Sequence, residues 1–318
     1  HAPLFGGSEI AHYHQAVALV VAETFEQARA AAGLIRTTYK RSEGQFDLTK
    51  VAEDAPLAKG NGDSKDIQRT GDFEAAFATA PVSIDSRFQV AGETHAMMEP
   101  FATIGAWEGD KLTVWTSNQM IQWGKEALAQ ILGMDAENVR MDSPFIGGGF
   151  GGKLFVRVDA VLAALGSKAA GRPVKIVMQR PLIANNTTHR AETLQRVRLG
   201  ADKEGKITAV AHESWSGNIT GEDGENAVMQ TRKLYAGANR LTASYIATLD
   251  LPEGNAMRAP GEATGHLALE VAMDELAEKL DMDPVELRIL NDTQVVPGKP
   301  DKAFSDRNLV QCLREGAE

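Results

Sequence analysis

The sequence contains a single cysteine, Cys312, and this scarcity excludes several kinds of site. One thiol cannot form an internal disulfide. Nor can it supply the about four ligands that a structural zinc site or an iron–sulfur cluster requires. If an iron–sulfur cluster serves this protein in electron transfer, we therefore expect the cluster to lie on another chain.

The sequence also lacks a long apolar run and an excess of positive charge. No apolar stretch reaches the ~18 residues of a membrane-spanning helix. The formal net charge of -10 disfavours binding to nucleic acid or to an anionic membrane surface. The chain has 318 residues, of which 43% are hydrophobic and 24% charged, a balance typical of a globular protein with room for two domains. It starts with His1 and stops inside a helix-like pattern, so we interpret it as part of a longer protein.

The order of the predicted elements indicates an α+β fold and not a regular β–α–β alternation. Residues 14–24 have the pattern of a buried strand, and residues 24–39 that of a helix. Thr24 is the expected N-cap of this helix, with Gln27 completing a capping box. The polar composition of residues 41–70 predicts a linker.

After residue 71 the pattern predicts a mixture of strands and helices. The predicted strands lie within 80–90, 101–109, 111–119, 137–146 and 173–180, and a hairpin covers 193–215. The predicted helices are 122–133, 155–171 and two segments within 268–292.

The segment PFIGGGFGGKLF (144–155) carries five glycines in six positions. It matches both G-x-G-x-x-G and G-x-x-x-x-G-K. However, Leu154 cannot supply the hydroxyl of a phosphate loop, and no acid follows about 20 residues on. Each glycine costs roughly 0.5–1 kcal/mol of conformational entropy relative to alanine. The excess therefore favours backbone that approaches a ligand with free N–H groups, next to the N-terminus of the following helix. Tight packing without a ligand is the alternative.

Four separated motifs resemble the molybdenum-binding large subunit of the xanthine dehydrogenase and aldehyde oxidase family. GGGFGGK resembles its glycine loop, and WTSNQ (115–119) is similar to its strand that ends in a glutamine at the molybdenum site. Residues 255–291 resemble its arginine- and glycine-containing turn and the long helix after it, and GETHAMMEP (92–100) is similar to one of its strand segments. KLFVR, NNTTHR and MRAPGEA are most like the bacterial three-subunit aldehyde oxidoreductases, including those of the periplasm.

The resemblance implies a domain organisation and a function. Residues 1–40 would be the end of a hammerhead-like α/β domain, 41–70 a linker, 71–295 the first molybdopterin-binding domain and 296–318 the start of the second. The implied reaction oxidises an aldehyde to a carboxylic acid with water as the oxygen source. The implied cofactor is molybdopterin, in its cytosine dinucleotide form. Electrons would pass to a small [2Fe-2S] subunit and a medium FAD subunit. The compartment stays open between periplasm and cytoplasm.

The resemblance also implies residue roles. Molybdenum would be held through the pterin and not by a side chain of this protein. The residues that match cofactor contacts are Gln119, Gly148, Gly149, Phe150, Gly151, Arg258 and Ala259. The residues that match the substrate pocket are Leu154, Arg232 and Pro260. Without the resemblance, Gln119 is a polar strand end and Arg258 a member of a surface ion pair.

The substrate positions depart from those of purine-oxidising members of the family. Leu154 stands where they carry a glutamate, and Pro260 where they carry a phenylalanine. Apolar residues here favour an aldehyde with a hydrophobic or aromatic body over xanthine. The alignment of Arg232 requires a gap.

No catalytic base is assigned to this chain. The family's glutamate base lies in a glycine-rich segment that we expect beyond residue 318, and Glu262 matches a different motif. We therefore expect the chain alone to be inactive. Two alternatives stay open: a non-catalytic cofactor-binding fragment and a nucleotide-binding oxidoreductase.

Overall fold

The computed structural model describes residues 5–59 and 67–318, in which helices and strands are mixed as the predicted α+β class requires. The helices are α1 (Phe25–Ala32), α2 (Leu48–Val51), α3 (Phe73–Ala78), α4 (Ile121–Leu132), α5 (Val158–Ala170), α6 (Arg180–Asn186), α7 (Glu262–Lys279), α8 (Pro284–Leu290) and α9 (Leu309–Ala317). The strands are β1 (Ile67–Thr70), β2 (Val82–Val90), β3 (Glu93–Thr94), β4 (Ala102–Glu108), β5 (Lys111–Trp115), β6 (Val139–Asp142), β7 (Val174–Val177), β8 (His189–Arg190), β9 (Thr193–Ala201), β10 (Ile207–Asn218), β11 (Asn239–Thr248), β12 (Val295–Val296) and β13 (Lys299–Ala303).

The chain divides into two compact units, each assembled from three segments. The first unit comprises His1–Phe46, Glu93–Arg190 and Leu249–Arg258. The second unit comprises Asp47–Gly92, Ala191–Thr248 and Ala259–Glu318.

The first unit is built on a four-stranded sheet in the order β6-β5-β4-β7. Strand β4 pairs antiparallel with β5 and β7, and β5 pairs parallel with β6. Helix α5 lies very close to β4, because a Cβ on Gly105 would be 2.7 Å from the carbonyl oxygen of Ala163. Trp107 then donates its indole N–H to the carbonyl of Ala164 at 2.8 Å. The core between the sheet, α4 and α5 contains Leu112, Val114, Leu128, Val139, Val156, Val161 and Ala164.

The second unit has a five-stranded sheet in the order β1-β11-β10-β9-β2. Strands β9 and β10 are antiparallel, which confirms the predicted hairpin, and β10 pairs with β11 in parallel. Strand β11 is not among the predicted strands. Helix α7 packs on this sheet and buries Ala268, Leu269, Ala272, Met273 and Leu276.

The sheet of the second unit contains a buried polar network. His212 on β10 contacts Thr231 Oγ1 through Nδ1 at 2.6 Å and Gln195 Oε1 through Nε2 at 2.9 Å. Complete burial, reinforced by the charge of Arg232, lowers the pKa of His212 to about 3. The imidazole is therefore neutral at ordinary pH and has a structural role.

Most local predictions after residue 71 are confirmed. Helix α4 ends at Gly133, whose φ of 66° is the left-handed cap expected of glycine. The two predicted segments within 268–292 correspond to α7 and α8, which Asp283 separates by capping Val285 and Glu286.

The N-terminal predictions are partly wrong. Thr24 does cap α1 by accepting from the amide of Gln27 at 3.2 Å, but the helix ends at Ala32 and buries none of its residues. Residues 14–24 form no strand. Their one ladder contact is an isolated bridge between Ala16 and Phe5, while Val17 and Val21 are 48% and 39% exposed. An apolar run becomes a strand only where a partner strand takes up its backbone groups.

The predicted linker, 41–70, contains α2 and β1, and its residues 60–66 lie outside the described part, as do residues 1–4 of the predicted hammerhead-like segment. The domain boundaries stay predictions. No helix in the described ranges is both long and apolar enough to cross a membrane.

The contact between α7 and the chain before it yields a test of packing in the second unit. A Cβ on Gly265 would be 1.9 Å from the carbonyl oxygen of Ala227, and backbone cannot yield cheaply. We expect Gly265→Ala to lower the free energy of unfolding by about 1–3 kcal/mol, the usual cost of overpacking. Thermal or denaturant unfolding measures the change. Gly316→Ala in α9 is the matched control, because its Cβ would meet nothing within 4 Å, and it is expected not to destabilise. Equal midpoints for the two variants would contradict this packing.

Candidate functional site

The segment after β5 brings Gln119 to the glycine loop. The amide of Thr116 donates to Asp142 O at 3.0 Å, and the amide of Asn118 donates to Ser143 Oγ at 3.0 Å. The amide of Gln119 then donates to the carbonyl of Lys153 at 2.8 Å. These bonds continue the direction of the strand and fix the main chain of Gln119 beside the loop.

The side chain of Gln119 binds the loop through its oxygen. Oε1 accepts from the amides of Gly151 at 3.1 Å and Lys153 at 3.2 Å. Because both partners are donors, the oxygen must face the loop and the NH2 group must face away from them. The residue is exposed, and Nε2 has no hydrogen-bond partner within residues 5–59 and 67–318. The side chain thus closes the loop with one end and presents a neutral donor with the other.

The glycines allow this close approach. A Cβ on Gly149 would be 2.3 Å from Gln119 Oε1, and a Cβ on Gly151 would be 2.5 Å from the carbonyl oxygen of Ala256. Gly148, Phe150 and Gly151 all have positive φ, of 95°, 53° and 100°. Such φ values are easy for glycine and uncommon for phenylalanine. The ring of Phe150 is 48% exposed, so this residue contributes its backbone to the loop more than its side chain to a core.

Three consecutive amides of the loop are free. The N–H groups of Gly148, Gly149 and Phe150 donate to no group in the described ranges, whereas the next amide, of Gly151, is taken by Gln119. Successive free amides in a glycine turn form a concavity that attracts an anion or an electron-rich oxygen. We expected the N-terminus of the following helix to lie next to these free amides, and that prediction is wrong. Helix α5 begins only at Val158, after turns closed by the amides of Gly152 and Leu154, so the free amides are not part of its first turn.

A second segment is attached to the loop at residues 254–258. The amide of Arg258 donates to Phe150 O at 2.8 Å. The carbonyl of Ala256 accepts from His95 Nε2 at 3.0 Å and from Thr188 Oγ1 at 3.1 Å. Since a carbonyl only accepts, His95 carries its proton on Nε2, and burial lowers the pKa of His95. Arg258 is exposed, and its guanidinium has no hydrogen bond or ion pair with any described residue.

Two charged residues near the loop escape the sequence-based assignment. Lys153 is completely buried and forms an ion pair with Glu99 at 2.7 Å. Partial burial alone would raise the pKa of Glu99, but hydrogen bonds from Lys153, the amide of Gly147 and Ser117 outweigh it and lower the pKa. The available signal was Lys153 at the end of GGGFGGK, for which the resemblance implied no role.

The predicted site residues fall in both units. The first unit brings together Gln119, the loop residues Gly148, Gly149, Phe150 and Gly151, and the turn residue Arg258, with half-buried Leu154 directly after the loop. Ala259, Pro260 and Arg232 belong to the second unit. Ala259 has a φ of 59° and Pro260 is exposed. Arg232 is buried, donates from Nε to Thr242 Oγ1 at 2.8 Å and lines a cavity of about 500 Å³ that Phe304 also lines.

The donor set of the first unit fits an electron-rich group. Three backbone N–H groups and one side-chain NH2 group are neutral donors that do not titrate, and the guanidinium of Arg258 adds a permanent positive charge. Fixed donors of this kind stabilise oxo and phosphate oxygens. This geometry suits the oxo and phosphate groups of molybdopterin, and on donor chemistry alone it also suits a nucleotide.

Comparison with known proteins separates these two possibilities. The family model described as the molybdopterin cofactor-binding domain matches residues 58–292. The chain is 58% identical, over 317 residues, to the aldehyde oxidoreductase molybdenum-binding subunit PaoC of Escherichia coli strain K12, and the match covers 100% of this chain and 43% of that protein. It is 28% identical to the nicotinate dehydrogenase large molybdopterin subunit of Eubacterium barkeri, over 92% of this chain and 71% of the relative. The chain therefore spans less than half the length of PaoC.

Solved structures agree on the fold. The aldehyde oxidoreductase from Desulfovibrio desulfuricans superposes with a TM-score of 0.86 at 23% identity, covering 99% of this chain and 36% of that one. The aldehyde oxidoreductase from Desulfovibrio gigas gives a TM-score of 0.80 at 22% identity, covering 92% and 34%.

Substitution of Gly149 tests the contact between Gln119 and the loop. We expect Gly149→Ala to displace the side chain of Gln119, because the new Cβ would be 2.3 Å from Oε1. The amides of Gly151 and Lys153 would lose their acceptor, and their hydrogen exchange should accelerate by about tenfold, the scale of one hydrogen bond. Hydrogen–deuterium exchange of the loop peptide measures this. Gln119→Glu, which keeps the acceptor, is the control and should keep the protection. Unchanged exchange in Gly149→Ala would show that Gln119 does not bind the loop in solution.

Proposed function

The chain belongs to the family of molybdopterin cofactor-binding domains, and from this premise we propose that it forms part of the cofactor-binding portion of a molybdenum-dependent aldehyde oxidoreductase. The observation that carries the proposal is the arrangement of three free loop amides beside a glutamine whose oxygen is fixed and whose NH2 group is free. The 58% identity with a protein named as the molybdenum-binding subunit of an aldehyde oxidoreductase supports the choice of reaction.

Each residue of the site has a specific proposed role. Nε2 of Gln119 donates to an oxygen of the cofactor at its metal end. The amides of Gly148, Gly149 and Phe150 donate to electron-rich atoms of the same group, as the donors of an oxyanion hole do. Gly151 admits the turn at Ala256, and Arg258 of the same unit would contact the cofactor. Ala259 is a proposed contact on the resemblance of motifs alone. A neutral amide suits the metal end because it donates at every working pH.

The cofactor, when bound, supplies the redox chemistry by which an aldehyde becomes a carboxylic acid with oxygen from water. The residues of this chain bind it, orient it and hold donors at fixed positions, so that little reorganisation is needed during the reaction. We further propose the cytosine dinucleotide form of the cofactor. A [2Fe-2S] subunit and an FAD subunit would accept the electrons, in keeping with the single cysteine of this chain. We assign no general base to this chain.

The proposed substrate is an aldehyde with an apolar or aromatic body. Leu154 follows the loop and is half-buried, so its side chain can contribute apolar surface near the reacting centre. Pro260 offers no aromatic ring for stacking on a purine. Arg232 is proposed at the substrate side, where its buried guanidinium is held by Thr242.

The experiment that tests the function uses the whole protein that contains this chain, purified with its partner subunits. We expect about one molybdenum atom per complex and faster turnover of aromatic aldehydes than of xanthine, because Leu154 and Pro260 remove the polar and stacking contacts that a purine needs. Metal analysis and steady-state kinetics measure both. Absence of molybdenum together with tight NAD binding would favour the nucleotide alternative, and faster xanthine turnover would overturn the assignment of Leu154.

Two substitutions of Gln119 separate its two hydrogen-bonding ends. Gln119→Ala should lower kcat by about 100-fold with the fold intact, the scale of losing one transition-state donor. Gln119→Glu should keep the loop bonds of Oε1 yet lose the donor, so kcat should fall by about as much while loop protection stays. Kinetics on molybdenum-loaded complex, with circular dichroism as the folding control, provide the measurement. A kcat equal to wild type in Gln119→Glu would remove the donor role.

A further inference from the structure

The fully buried ammonium group of Lys153 has three oxygen acceptors around it. Nζ lies 2.7 Å from Glu99 Oε2, 3.1 Å from Glu99 O and 3.0 Å from Ser117 Oγ. The ring of Phe101 adds a cation–π contact, with its centroid 5.5 Å from Nζ. A lysine side chain with no exposed surface is rare, and here every donor of its head group is satisfied.

One carboxylate oxygen of Glu99 connects the two ends of the glycine loop. Oε2 accepts from Lys153 Nζ at the end of the loop and from the amide of Gly147 at its start, each at 2.7 Å. Ser117 Oγ, on the segment that leads to Gln119, donates to the same oxygen at 2.7 Å. The main chain adds a bond from the amide of Glu99 to Gly147 O at 3.0 Å.

We propose that Glu99 and Lys153 are positioning residues that hold the loop from Gly147 to Lys153 in the shape that presents the free amides of Gly148, Gly149 and Phe150 to the cofactor. The inference rests on the proposed function, and neither residue is assigned a role by the matched motifs. Five of the seven residues in this loop are glycines, which contribute no side-chain contacts of their own. The loop therefore depends on groups at its two ends for its shape.

A charged pair suits this task better than apolar packing. Removing the ammonium of Lys153 from water is costly, and the Glu99 carboxylate is still 37% exposed, so the pair adds little net stability compared with apolar side chains of the same volume. It does supply directional bonds, and here they converge on one oxygen from three separate backbone segments, at Gly147, Ser117 and Lys153. These directional bonds fix the positions of Gly147, Ser117 and Lys153 relative to one another. An apolar contact has no preferred direction and would allow the loop to shift.

The experiment compares Glu99→Gln, Lys153→Met and the double variant Glu99→Gln/Lys153→Met in the whole complex. Three quantities are measured: the melting temperature, hydrogen–deuterium exchange of the loop peptide, and molybdenum content with kcat and KM. Asp292→Asn is the control for a general loss of stability. It removes one charge from an ion pair of the second unit whose side chains are 12% and 6% exposed.

The double variant carries the decisive result. Glu99→Gln should lower the melting temperature, because it leaves the buried ammonium of Lys153 without its carboxylate. Lys153→Met should lower it less, because the Glu99 carboxylate is partly exposed and keeps its bonds from Gly147 and Ser117. The double variant should recover the melting temperature but not the protection of the loop amides. Hydrogen–deuterium exchange of the loop peptide should still be about tenfold faster than in the wild type, which is the scale of a lost charged hydrogen bond. Molybdenum content should fall several-fold, or kcat should fall about tenfold with KM within about twofold in the loaded fraction. Asp292→Asn should lower only the melting temperature.

The proposal would be overturned if the double variant recovered both the melting temperature and the protection of the loop amides. The pair would then be merely structural. Unchanged exchange in all variants would overturn it as well. Exchange can be measured on complex without cofactor, so the loop result stands apart from the proposed function. If wild-type complex holds no molybdenum, the proposed function fails while the effect on loop shape is still measured.

Discussion

The site depends on one interaction, the capture of two backbone amides by the side-chain oxygen of Gln119. This bond brings a strand end and a glycine loop together, although they are separated by about 30 positions in the sequence. It also orients the amide group, since an oxygen held by two donors leaves the NH2 group on the opposite side. Without it, the free amides of Gly148, Gly149 and Phe150 would have no fixed relation to the donor on Gln119. The candidate site is thus a set of donors in which one neutral side chain fixes the relation between the loop and the segment after β5, while Glu99 contacts both ends of the loop.

The glycines matter here for space as well as for conformational freedom. Gly149 makes room for the side chain of Gln119, and Gly151 makes room for the turn at Ala256. Gly147 makes room for Glu99, because a Cβ on Gly147 would be 2.4 Å from the Cβ of Glu99. At each of these positions the absence of a Cβ allows a close contact, with a side chain at Gly147 and Gly149 and with backbone at Gly151. The loop can therefore be bonded on one side and free on the other. The entropic cost of so many glycines is offset by hydrogen bonds that loop amides donate to Gln119 and Glu99 and by the bond that the amide of Arg258 donates to Phe150 O.

The electrostatic character of the site is consistent with its proposed ligand. Charge near the loop is either paired, as in buried Lys153 with partly exposed Glu99, or exposed, as in Arg258. The groups that would touch the metal end of the cofactor are neutral and do not change with pH. This arrangement presents donors to an electron-rich centre without adding a titrating group beside it. It also explains why a chain with a net charge of -10 can still offer a site for an anionic cofactor.

The role of Gln119, which follows β5, came from the resemblance of motifs and stays a prediction. The sequence alone determined the α+β class, most elements after residue 71 and the position of the glycine turn. These features depend on periodicity, helix caps and turn residues, which act over a few positions. Only the tertiary structure decided that residues 14–24 form no strand, that β11 pairs in parallel with β10, and that Lys153 and Glu99 clamp the loop. Those outcomes depend on partners distant in the chain. A backbone group or a buried charge becomes stable only when a complementary group reaches it, and a linear pattern does not reveal which group that will be.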